Sequence, residues 1–153
     1  MNKTWFRRLK TLCFYWLPLI SWMALIFWLS SRPVVPHPGR KIGVPDDYTD
    51  YAAHAFMFAV LTLLAWHALR SSPARLPTVL TSRPWLSAAV LAALYAISDE
   101  VHQLFVPGRW AKVSDWLADC VGILVMTILL VGWRRATSQH RKSEAVVQRR
   151  IWQ

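Results

Sequence analysis

The sequence predicts an all-α polytopic membrane protein, a four-helix transmembrane bundle with both chain ends in the cytoplasm. Three observations carry that prediction. Hydrophobic residues make up 55% of the 153 residues and charged ones only 17%, against roughly a quarter charged in a soluble domain. The apolar residues gather into four runs of membrane-spanning length. Ten tryptophans exceed what core packing needs and suit the bilayer interface, where an apolar ring with one N–H donor is at home. At this length the chain holds one domain.

The first run, Thr11–Leu29, has nineteen residues, enough to cross a hydrocarbon core of about 30 Å. Lys3, Arg7, Arg8 and Lys10 precede it as in a signal peptide. However, the run is rich in Trp and Phe, and no small-x-small cleavage site precedes Ser30-Ser31-Arg32-Pro33. It is therefore read as a retained helix bent at Pro18. The second run covers Tyr51–Leu69. The third, about Trp85–Val106, is apolar over Leu86–Ile97 and then carries Asp99, Glu100, His102 and Gln103. The fourth, about Ser114–Trp133, has Asp115 and Asp119 in its first turns.

Lys and Arg set the direction. With the N-terminus inside, the inner segments are residues 1–10, the link bearing Arg70, Arg75 and Arg83, and a basic tail over 134–153. Together they hold thirteen of the eighteen basic residues. The acids divide the other way, because of eight only Glu144 falls inside. Acids contribute little to topology, so their gathering at the outer side points to a site. The loop at 30–50, with its prolines and glycines, is expected to be turn-rich or extended. The tail from Ala136 is expected to be disordered or to lie on the inner leaflet.

A formal charge of +10 raises nucleic acid as a partner. The basic residues nevertheless fall in short clusters between apolar runs, as in loops held against anionic headgroups, so no nucleic acid is expected. Cys13 and Cys120 lie in different runs near opposite faces, about 20 Å apart in depth by helical rise, too far for a disulfide. Both are read as packing residues.

Three spans contribute polar residues at one level. Asp50 and His54 are i, i+4 neighbours. Gln103 lies three residues after Glu100 and four after Asp99. Asp115, Asp119 and Gly122 form one stripe, with a small residue that permits close helix approach. Pro107-Gly108-Arg109 makes the tight turn between the last two spans. Acids at this depth cost a few kcal/mol each when they face lipid. They are therefore expected to face the bundle interior, with Arg109 as counter-charge and His54 and Gln103 as hydrogen-bond partners.

These residues also carry a resemblance. Asp99-Glu100-Val101-His102-Gln103, Pro107-Gly108-Arg109, Asp115, a polar residue at 119 and Gly122 resemble the D-E-x-x-Q…P-G-R…D…N…G signature of the VanZ-like family. Upstream, Ser30-Ser31-x-Pro33 and Asp50-x-x-x-His54 fit the same pattern, so the similarity covers about residues 15–133. Tyr51 stands where the family usually has lysine, Phe58 where tyrosine is common, and Asp119 where asparagine is usual. The resemblance implies a bacterial membrane protein of the cell envelope. The family is named after an accessory protein associated with resistance to the glycopeptide teicoplanin.

Four roles are open to the cluster. It could bind an anionic or zwitterionic headgroup of an envelope lipid, lipid-linked precursor or lipoglycopeptide, through Asp50, His54, Asp99, Glu100, Gln103, Arg109, Asp115 and Asp119. Trp110 and Trp116 would flank such a headgroup. It could be an intramembrane hydrolase or transferase, with Glu100, Asp115 and His54 as catalytic candidates and a divalent cation in reach. Against this, no HExxH or comparable spacing is present, and no cofactor is expected. It could simply lock the helices together. Proton conduction is disfavoured, because no acid lies in the inner halves of the spans. With few polar anchors outside the cluster, the protein is expected to work beside partner membrane proteins or as a homo-oligomer in the cytoplasmic membrane.

Overall fold

The structure, a computed structural model, describes residues 12–33, 46–71 and 76–151. The expected basic N-terminal segment and most of the loop at 30–50 lie outside the described residues. Every described element is helical. A π-helical turn, Leu12–Trp16, leads into α1, Leu17–Ser30. Next come α2 (Asp46–Arg70), the short α3 (Thr78–Ser82), α4 (Pro84–Gln103) and α5 (Val113–Ile151).

Proline punctuates these elements. Pro18 falls in the first turn of α1, just after the π-helical turn, where its missing N–H interrupts the ladder between the two. The strain expected as a bend at that position appears as a change of helix type just upstream, a widened π turn giving way to regular α-helix. Pro84 opens α4 after Arg83 leaves helical backbone at φ −132°.

Three helical segments are long and apolar enough to cross a membrane: Cys13–Ser30, Tyr48–Arg70 and Val113–Arg141. α4 falls short on hydropathy because Asp99, Glu100, His102 and Gln103 crowd its last turns, although its 20 residues reach about 30 Å at helical rise. Large apolar side chains stand exposed around the bundle, among them Leu17, Ile20 and Phe27 of α1, Phe56 of α2, Val90 and Leu94 of α4, and Leu124, Ile128 and Leu129 of α5. In water so broad an apolar surface would drive aggregation; against lipid it is at home. These helices mark a membrane protein.

The buried face changes character along its length. On α4 the buried residues are Ala88, Ala92 and Ala96, then Asp99 and Gln103. This is one stripe at helical spacing, small at one end and polar at the other. α2 runs antiparallel to it, from half-buried His54 through Phe58, Leu61 and Thr62 to Ala65, Ala68 and Leu69. α5 contributes Asp115 and Asp119, then Ile123 and Leu130; α1 contributes Leu19, Ile26 and, at its end, Ser30. The alanines let the helix backbones approach closely, the usual device where apolar side chains gain nothing by leaving lipid. All four polar ends fall at the same end of the bundle. Tyr95 Oη and Trp22 Nε1 tie the middle by donating to the Met23 and Met57 carbonyls at 2.8 and 2.9 Å.

The tail from Ala136, expected to be disordered or to lie on the inner leaflet, is helical in the described residues: α5 runs on to Ile151. Neither Gly nor Pro interrupts residues 133–151, and Arg, Lys, Gln, Glu and Ala dominate there, all strong helix formers. His140 and Glu144 add an i, i+4 contact at 3.3 Å. Cys13 is exposed and Cys120 half-buried, and both are free thiols.

α2 and α5 come into close backbone contact at Gly122. A Cβ there would lie 1.9 Å from the Ala55 carbonyl oxygen, so a methyl group cannot enter unless the two helices separate. Gly122→Ala is expected to cost about 1–3 kcal/mol by overpacking. Thermal unfolding in detergent reads this as a clear drop in Tm; an unchanged Tm would show that the contact is loose.

Candidate functional site

The site is assembled from helix ends. α1 stops at Ser30-Ser31, where Ser31 N–H and Oγ–H both donate to the Phe27 carbonyl. This leaves Ser30 Oγ facing α4. There it donates to both oxygens of Asp99, at 2.7 and 2.8 Å. Gln103, one turn on, donates its Nε2 to Asp99 Oδ2 at 3.1 Å and to Ser30 Oγ at 3.2 Å. All three side chains are buried. A carboxylate removed from water must be met by donors, and this one is met by two residues that have few other partners to choose.

A second buried pair joins α2 to α5. His54 Nδ1 and Asp119 Oδ1 lie 2.9 Å apart, and Asp119 is completely buried. The other imidazole nitrogen, Nε2, lies 3.9 Å from Asp115 Oδ2. Asp115 sits in the first turn of α5, where the helix dipole favours an anion, and its Oδ1 accepts from Ser114 Oγ at 3.2 Å. His54 is thus oriented by a buried acid on one side and turned toward a second acid on the other.

Between these clusters lies a cavity of about 390 Å³. Its walls are polar (Ser30, Asp50, His54, Asp99, Gln103, Asp115) and apolar (Ile26, Leu29, Met57, Phe58). Arg109, Trp110 and Lys112 of the α4–α5 connection also line it. That connection turns tightly because Gly108 adopts φ +79° after Pro107, with Arg109 N–H returning to the Val106 carbonyl at 3.1 Å. Pro at the second and Gly at the third position is the type II arrangement, and the positive φ is what glycine supplies.

Most of the residues singled out from the sequence gather here, with two changes of role. Arg109 lines the cavity, yet among the described residues it makes no ion pair with the acids it was expected to neutralise; Ser30 and Gln103 satisfy Asp99 instead. Glu100 does not line the cavity. Its Oε2 accepts the Lys112 backbone N–H at 3.0 Å, so it braces the loop that carries Arg109. The interior side of α4 belongs to Asp99, because the Ala88–Ala92–Ala96 face is turned inward. Ser30 enters from the sequence only through the upstream Ser30-Ser31-x-Pro33 pattern; a hydroxyl closing an apolar span is the signal of a partner for a buried acid.

Nucleophile activation is poorly served. Ser31 Oγ lies 3.0 Å from His102 Nε2. Its proton is committed to the Phe27 carbonyl, so His102 donates to the serine rather than taking its proton. Among the described residues no three His, Cys, Asp or Glu side chains form a set able to hold a metal ion.

A helical membrane protein with a polar cluster at one end of its bundle is the class that this fold and site define. The VanZ/LLP1 family profile matches residues 14–134, and the chain belongs to that family. Neither the curated proteins nor the solved structures contain a match.

Ser30 both donates to Asp99 and accepts from Gln103, so Ser30→Ala is expected to destabilise the fold by about 1–2 kcal/mol. Ser31→Ala, which loses only an exposed bond to its own helix and the contact with His102, should stay within about 0.5 kcal/mol. Unfolding titrations of the two variants check this, and equal effects would remove the special status of the Ser30–Asp99–Gln103 cluster.

Proposed function

We propose that this protein crosses the cytoplasmic membrane four times, with both ends inside, and binds the anionic or zwitterionic headgroup of an envelope lipid, lipid-linked precursor or lipoglycopeptide in its outer-end cavity. The observation that carries the reading is the charge arrangement of that cavity. Arg109 and Lys112 line it without described acid partners, together with the carboxylates of Asp50, Asp99 and Asp115 and the apolar residues Ile26, Leu29, Met57 and Phe58. Arginine is suited to bidentate contact with phosphate or carboxylate. A bundle that needed polar contacts only to hold its helices would be complete with Ser30–Asp99–Gln103 and His54–Asp119, and would have no use for unpaired cations beside a cavity.

The fourth crossing is supported by α4 running antiparallel beside α2, with its polar end level with theirs. Orientation is supported by the excess of Lys and Arg at the opposite end and along the tail. Two Arg–Trp stacks, Arg32 over Trp28 at 4.0 Å and Arg70 over Trp66 at 5.1 Å, sit toward the two ends of the bundle, as interfacial anchors do. Capture of a lipoglycopeptide or of its lipid-linked target would be a direct route to altered susceptibility to teicoplanin-type glycopeptides.

A catalytic reading has one observation in its favour. His54 is oriented by Asp119 with Nε2 turned toward Asp115 at the cavity, the geometry of an oriented general base. Binding is the better-supported function, because among the described residues no hydroxyl, thiol or amine is hydrogen-bonded to His54.

Native mass spectrometry of the detergent-purified protein should show a retained lipid, lost on Arg109→Ala plus Lys112→Ala while membrane levels stay normal. Retention by the double variant would remove the cations from the site, and near-stoichiometric divalent metal in the purified protein would favour the catalytic reading. Orientation is tested separately. In a background lacking Cys13 and Cys120, Trp110→Cys should react with a membrane-impermeant maleimide in intact cells. Protection there, with reaction only in inverted vesicles, reverses the topology.

A further inference from the structure

Building on that headgroup reading, we propose that the inner wall of the cavity holds a primary ammonium group, the cationic end of a zwitterionic phospholipid headgroup whose phosphate lies against Arg109 and Lys112. The inference comes from counting donors. Ser30 has one O–H, and it is committed to Asp99. Gln103 has two amide N–H donors, and they go to Asp99 and Ser30. Because the amide nitrogen must face the carboxylate, the amide oxygen faces away. Gln103 Oε1 is buried and has no partner among the described residues.

Buried acceptors are seldom left empty, and Gln103 is 1% exposed in the wall of the cavity. Around it the remaining capacity is of the same kind. Asp99 has accepted from two neighbours and an ionised carboxylate has about four lone-pair positions, while among the described residues Asp115 Oδ2 has only the long contact to His54. The wall formed by Gln103, Asp99 and Asp115 therefore accepts hydrogen bonds and has few to give.

A phosphate placed there would meet lone pairs and negative charge. A primary ammonium brings three N–H donors and a positive charge, matching three acceptors from two helices. A quaternary ammonium carries the same charge and no donor, and would leave Gln103 Oε1 unmet. The Lys and Arg side chains that line the cavity, Arg109 and Lys112, come from the α4–α5 connection, so the proposed charge order along the ligand is anion toward the connection, amine toward Gln103. A lipid with an anionic phosphate and a neutral polyol head satisfies only the first half.

The test is a methylation series at constant charge and acyl chain. Full-length protein in detergent is exposed in turn to phosphatidylethanolamine, its N-methyl and N,N-dimethyl forms, phosphatidylcholine and phosphatidylglycerol. Bound lipid is measured by native mass spectrometry. Occupancy should fall stepwise as N–H donors are removed, about tenfold or more from ethanolamine to choline, with phosphatidylglycerol below ethanolamine. Gln103→Met should flatten the ethanolamine-to-choline ratio, a readout that mere loosening of the bundle does not move. Equal retention of choline and ethanolamine lipids, or tighter retention of phosphatidylglycerol, overturns the ammonium assignment and leaves the headgroup site standing. Retention of none of the lipids overturns both.

Discussion

A carboxylate buried in a lipid-facing bundle must be satisfied by the protein itself, and the rest of this structure is arranged around how Asp99 is satisfied. Ser30 and Gln103 both donate to it, which fixes the end of α1 against the end of α4. The hydrocarbon outside supplies no donor, so loss of either partner exposes the full cost of an unmet charge. The alanine stripe of α4 leads directly into this cluster, so the close apolar packing and the polar cluster are two ends of one face. His54–Asp119 does the same between α2 and α5, one turn before Gly122 lets those helices touch.

With Asp99 satisfied by the neutral donors Ser30 and Gln103, the basic side chains of the connecting turn make no ion pair among the described residues. Had Arg109 paired with Asp99 or Asp115, the cluster would be an ionic lock with nothing left for a ligand. Instead Gly108 turns the chain, Glu100 braces the Lys112 amide, and the cations border a cavity with charge of both signs. Departures from the family pattern sharpen this. Asp119 replaces a usual asparagine and becomes the acid that orients His54. Phe58 replaces a usual tyrosine and is fully buried, adding an apolar wall beside the polar one.

Much of this was legible from residues alone. Of the four apolar runs, three coincide with helical segments long and apolar enough to cross a membrane, the last of them extending past Trp133 to Arg141. The i, i+4 spacing of Asp50 with His54 and of Asp115 with Asp119 placed each pair on one helix face. The need to hide acids from lipid predicted that such faces converge. The small residue at 122 signalled a close approach, now located against Ala55. Less legible was the choice between Asp99 and Glu100, since both lie within a turn of Gln103 and spacing alone favours neither. The helical state of the tail is not legible in its polar composition, which fits disorder or a place on the inner leaflet equally, although nothing in it breaks a helix.

Sequence by itself determined the membrane class, the helical segments and the gathering of acids toward one level, because hydropathy and the cost of charge in lipid act on every residue wherever its neighbours lie. Only the tertiary structure decided which groups satisfy one another. Hydrogen bonds are short and directional, so the pairing of Ser30 with Asp99 across 69 positions of chain, the release of Arg109 from the acids and the unmet oxygen of Gln103 depend on how four helix ends meet. No local pattern encodes that meeting.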